Sequence, residues 1–100
     1  MEFSFAQFEP LVGTDFTVHT SHGQFALKLA EARALPRRGL PDHFRTPFSL
    51  VFDGPPGVVL ARDSYLIGHA AIGQHSLYVM PIVPGQGAAA QQTQYQVTFA

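Results

Sequence analysis

The stretch Phe25-Ala26-Leu27-Lys28-Leu29-Ala30-Glu31-Ala32-Arg33-Ala34-Leu35 decides the fold, because propensity and pattern disagree over it. Its Ala, Lys, Glu, Arg and Leu residues are all good helix formers. Its front half instead puts Phe25, Leu27 and Leu29 at every second position, the period of a strand with one buried face. Tertiary context routinely overrides weak propensity, so residues 25–35 are read as a strand. A helix here would make the chain α+β; a strand makes it all-β.

The flanking sequence supports the strand. Upstream, Phe16 and Val18 alternate with Asp15, Thr17 and His19, and Ser21-His22-Gly23-Gln24 reads as a turn, so the two runs form a hairpin. Before that, Phe5, Phe8 and Val12 are spaced by three and four around Glu9-Pro10, which suits one or two helical turns ended at Gly13, with the Phe side chains plugging one end of the core. Downstream, residues 36–42 are a loop by their Pro and Gly punctuation. The run of residues 44–52 is the strongest strand, with Phe48, Leu50 and Phe52 on one face and Pro47 at its start. Asp53-Gly54-Pro55-Pro56-Gly57 is a turn, and Val58-Val59-Leu60 reads as a short strand after it.

Residues 64–69 and 76–80 form a second hairpin, with Gly73 supplying the turn. Residues 81–92 carry Pro84-Gly85-Gln86-Gly87 and an Ala/Gln tract, an exposed loop. Tyr95, Val97 and Phe99 then alternate with polar residues in a terminal strand that closes a sheet. The expectation is one all-β, mainly antiparallel domain over residues 1–100. It is a six- or seven-stranded sandwich or partly closed barrel with a short N-terminal helix, since no crossover helices are present for a parallel sheet.

Composition narrows the function classes. A chain of 100 residues, 46% hydrophobic and with nine Phe, can bury one core without metal or disulfide staples. With no Cys, thiol chemistry and Cys-ligated metal sites are excluded. Six Lys plus Arg against seven Asp plus Glu leave a net charge of −1, no footprint for nucleic acid and little repulsion between copies. The N-terminal residues lack a basic region followed by an apolar stretch, and no run is long enough to span a membrane, so the expectation is a soluble cytoplasmic protein without a signal peptide and without a membrane partner. Membership of an exported or assembled particle stays open.

Candidate chemistry is thin. His19 and His22 straddle a turn, His43 is in a loop, and His69 and His75 flank another turn, so no pair has the one-face spacing of a helical zinc site, and neither metal nor cofactor is expected. His69 continues the inward register of Tyr65 and Ile67 and is expected to be a hydrogen-bonded core histidine. Ser49, Ser64 or Ser76 can be combined on paper with a His and Asp15, Asp53 or Asp63, yet no Ser sits in a G-x-S-x-G elbow, so no catalytic residue is assigned. Arg33, Arg37, Arg38 and Arg45 hold four of the six positive charges and read as a solvated loop pairing with Asp42 and Glu31, in preference to a site for an anionic partner.

Several of these segments together resemble an uncharacterised family of small, mainly-β bacterial proteins of unknown function, about the length of this chain. The resemblance is carried by Phe8-Glu9-Pro10-Leu11-Val12-Gly13 with Phe16 and Val18, by Pro47-Phe48-Ser49-Leu50-Val51-Phe52 with Gly54-Pro55, and by Leu60, Tyr65, His69 and Ile72-Gly73. Val79 with Pro81 and the closing Tyr95-Gln96-Val97-Thr98-Phe99 complete it. It implies a mainly-β fold with no assigned activity or cofactor. Some members are encoded near phage-tail-collar-like proteins, which implies a role in a tail-like or fibre assembly. The chain departs from the family pattern in its Ala-rich strand and its longer Ala/Gln loop.

Three readings of function follow. The leading one is a non-enzymatic structural or protein-interaction module that self-associates or binds a neighbouring gene product through sheet edges or the loops around Arg37, Arg38 and Gln86. The second is a β-barrel binding a small apolar ligand in a cavity lined by Phe48, Phe52, Tyr65, Tyr78 and His69. The third is an enzyme acting through His69.

Overall fold

In the computed structural model, which describes residues 3–36, 39, 47–54, 59–82 and 93–99, six antiparallel strands close into a barrel. They are β1 (Asp15–Thr20), β2 (Gly23–Ala34), β3 (Phe48–Asp53), β4 (Asp63–His69), β5 (Gly73–Ile82) and β6 (Gln94–Phe99), in the ring order β1-β2-β3-β6-β5-β4. A short helix α1 (Phe5–Phe8) runs into a 3-10 turn (Glu9–Leu11) ahead of them. Ser4-Phe5-Ala6-Gln7 starts the helix, the Gln7 side chain accepting the Ser4 N–H at 2.8 Å as in one arm of a capping box. Pro10 fits the 3-10 turn because the first residues of a helical segment lack intrahelical N–H bonds anyway, and Gly13 (φ 90°) turns the chain into β1.

The ambiguous stretch is a strand, and the structure explains its mixed signal. Phe25 and Leu27 face inward where β2 pairs with β1, Leu29 stands opposite Phe52 of β3, and Ala32 and Ala34 stand opposite Leu50 and Phe48 further along the same ladder. Within the β2–β3 ladder the register shifts between Leu29 and Glu31, a bulge at Ala30. One extra residue flips the alternation, so the inward set runs 25, 27, 29, 32, 34, and the spacing of three across the bulge imitates a helix. A bulge bends its strand, and α1 packs against β2. β5 pairs with β4 over residues 73–79 and with β6 over residues 80–82.

Both expected hairpins, β1–β2 and β4–β5, form, and the terminal strand β6 lies between β3 and β5. Pro47 stands just before β3. The short strand read at residues 58–60 is not found at Val59 and Leu60, and Val58 lies outside the described residues. Instead of joining a ladder, the Leu60 N–H donates to the Tyr95 hydroxyl at 2.9 Å, which leaves six strands. Each strand has a neighbour on both sides along at least part of its length, which shortens the free sheet edge among the described residues.

The inward side chains fill the ring. Phe16, Val18, Leu27, Leu29, Phe48, Leu50, Phe52, Ile67, Val79 and Tyr95 are all fully buried. Phe8 plugs one end, its ring 5.7 Å from Phe48, 5.6 Å from Phe99 and 6.5 Å from Phe16. Phe3 packs at the same end between Phe99 and the edge of His75, at 5.5 and 4.8 Å. Aromatic rings suit this place because they bury the most apolar area per side chain and meet at tilted or offset angles. No helix among the described residues is long and apolar enough to cross a membrane.

Candidate functional site

The residues expected to line one cavity are not gathered. Phe48 and Phe52 are fully buried in the core, Phe52 edge-on to Phe16 at 5.3 Å. Tyr78 points outward from β5 and is 50% exposed. Tyr65 and His69 both face inward on β4, but Tyr65 lies at the open mouth and His69 at the plugged end. Arg37, Arg38 and Gln86 lie outside the described residues.

His69 is held from both sides. The Ala71 N–H can only donate, so Nδ1 accepts it at 3.0 Å and the ring proton sits on Nε2. Nε2–H then donates to Thr14 Oγ1 at 3.0 Å, whose hydroxyl donates to the Leu11 carbonyl at 2.6 Å. The Phe16 ring lies 4.5 Å from the imidazole. Both ring nitrogens are therefore engaged in tying the end of β4 to the turn that carries the plug. The expected hydrogen bonds of His69 are present, but the side chain is half-buried rather than a core residue, and Thr14 is the partner that sequence reasoning missed. A Thr directly after a positive-φ glycine and before a strand was the available signal.

The other histidines and acids are dispersed. His75 Nε2 donates to the Ile72 carbonyl at 2.5 Å, and His19 Nε2 meets Gln74 Nε2 at 3.3 Å on the outer face of β1 and β5. That outer face carries an open polar cleft of about 430 Å³, floored by Gly68, where an added Cβ would come within 3.0 Å of Gln74. Asp53 accepts from the Gln94 amide at 2.8 Å and Asp63 caps the Ser64 N–H at 2.7 Å. Among the described residues no three His, Asp or Glu side chains converge as metal ligands.

At the mouth opposite the plug, a second hollow of about 460 Å³ lies between the β1–β2 turn and the β3–β4 connection. Thr20, Ser21 and His22 form one wall, Val59, Leu60 and Ala61 the other, and Phe25 and Tyr65 lie between them. The Tyr65 hydroxyl donates to the Ala61 carbonyl at 2.7 Å. Its burial, with the nearby Asp63 carboxylate and the Tyr95 hydroxyl, raises its pKa above the usual 10.0. Val59 is 74% exposed at the lip. Sequence reasoning placed Val59 and Leu60 in a strand and so missed this wall. An apolar run of only three residues, Val58-Val59-Leu60, following Pro55-Pro56-Gly57 in the sequence, was its signal.

A ring of six antiparallel strands with a built-in N-terminal plug defines a small all-β barrel domain. The chain belongs to the family described as a domain of unknown function (DUF6916), which matches residues 3–99. No curated protein and no solved structure matches it.

Proposed function

We propose that the protein is a non-enzymatic structural or protein-interaction module that meets its partner with the outer surface of the barrel. The observation that carries this reading is the outward face of β4 and β5, where Leu66 and Tyr78 are 42% and 50% exposed. They sit in neighbouring pairs of one ladder, Leu66 opposite Ser76 and Tyr78 opposite Ser64, so their side chains lie diagonally across the same face. The serines and Gly68 beside them are small and let another surface approach, and an exposed Tyr next to a Leu is the kind of anchor that interfaces use. A closed ring makes side-chain contact, rather than strand pairing, the route to a partner.

A net charge of −1 opposes self-association little, so a second copy or a product of a neighbouring gene suits this face. The resemblance to proteins encoded near phage-tail-collar-like proteins supports the finer proposal of a component of a tail-like or fibre assembly, made in the cytoplasm and built into a particle. The test is light scattering on the purified chain together with capture of its gene-neighbourhood products from the native host. Association should weaken at least tenfold in a Leu66→Glu, Tyr78→Glu double variant whose melting temperature is unchanged. A chain that stays monomeric and captures no such product overturns the proposal.

A further inference from the structure

We infer that the barrel mouth between the β1–β2 turn and the β3–β4 connection binds a small, uncharged aromatic molecule carrying a hydroxyl or ring N–H group. Its volume, about 460 Å³, lies in the range of small-molecule sites, and barrel mouths are a usual place for them. The lining sets the chemistry: Val59, Leu60, Phe25 and the Tyr65 ring are apolar or aromatic, whereas Ser21 and His22 offer a hydroxyl and an imidazole. A flat ring would cover Val59 and stack along Phe25 and Tyr65, and its polar group would reach the Ser21–His22 wall.

Both walls are fixed before any ligand arrives. On the turn side, the Thr20 hydroxyl donates to the Gly23 carbonyl at 2.8 Å and accepts the His22 N–H at 3.1 Å. On the connection side, Tyr95 holds Leu60 and Tyr65 holds Ala61, at 2.9 and 2.7 Å. A preformed hollow loses little conformational freedom on binding, which favours a small ligand that can make few contacts. By contrast, among the described residues the Ser21 hydroxyl contacts only its neighbour His22 Nδ1, at a long 3.3 Å, and so can turn to a ligand.

The experiment is an NMR titration of the 15N-labelled chain with p-cresol and with indole, and with benzoate and benzylamine as charged comparators of similar size. The neutral probes should give saturable amide shifts centred on Ser21, His22, Phe25, Ala61 and Tyr65, with dissociation constants on the order of 1 mM, as fits ligands of so few atoms. The charged comparators should bind at least tenfold more weakly. Val59→Asp places a carboxylate at the lip on a side chain already 74% exposed, so the fold should be kept, as the spectrum itself reports, while p-cresol affinity falls at least tenfold. Lys28→Gln, on the exposed outer face of β2, should leave p-cresol binding unchanged. Shifts that do not saturate, that centre away from the mouth, that benzoate matches in affinity, or that persist undiminished in Val59→Asp overturn the inference.

Discussion

At the plugged end of the barrel, Phe3, Phe5 and Phe8 pack over Phe16, Phe48 and Phe99, and the turn that follows the helix of Phe5 and Phe8 is tied down by the Thr14–His69 bond. At the mouth, residues 59–61 ahead of β4 line the opening with one buried side chain, Leu60, and two tyrosine hydroxyls hold their backbone. Apolar packing is non-directional and fills whatever space is offered, so it seals its end. Hydrogen bonds fix atoms along a line and leave the space beside them open. The same ring of strands thus has one end suited to stability and one suited to binding.

Removing a member from each end should expose the difference. Phe8→Ala takes a fully buried ring from the plug and should cost about 3–5 kcal/mol in denaturant unfolding, the largest effect expected. A loss below about 1 kcal/mol would mean that the plug is not part of the cooperative core. Tyr95→Phe keeps the ring but leaves the Leu60 N–H without its acceptor, at a cost of about 1–3 kcal/mol. Its distinguishing sign is faster hydrogen exchange at Leu60, with the plug-end amides unaffected.

The smallest effect concerns pH. Because the Tyr65 hydroxyl titrates higher in the folded chain than its usual 10.0, the neutral form is favoured by folding. Its contribution is therefore fully present below pH 10 and is lost as pH rises through the folded value. Tyr65→Phe should lower the melting temperature slightly at neutral pH and should flatten the decline seen in the wild type above pH 10. A variant that declines as steeply as the wild type would detach Tyr65 from the mouth's stability.

How much was legible follows the range of the interactions involved. Alternation at 16 and 18, at 25, 27 and 29, at 48, 50 and 52, and at 95, 97 and 99 reports burial of one face, which each strand writes into its own sequence. The plug was equally readable, since Phe5 and Phe8 lie beside a proline that stops the helix. His69 was placed correctly by its register with Tyr65 and Ile67. The pattern that failed was Val58-Val59-Leu60, where a local apolar run implied a strand but a tyrosine 35 residues away supplied the partner for the Leu60 N–H.

The sequence by itself therefore determined the strands, the two hairpins, the helical start and the aromatic core, because each depends on periodicity and turn residues within about a dozen positions. Only the tertiary structure decided that the ring closes, that Ala30 is a bulge, that Tyr78 faces out while Phe48 and Phe52 are sealed in, and that the mouth holds a hollow. Those features depend on which strand lies beside which and on a one-residue shift of register; the first leaves no mark in any single segment, and the second shows in β2 only as an ambiguity between strand and helix.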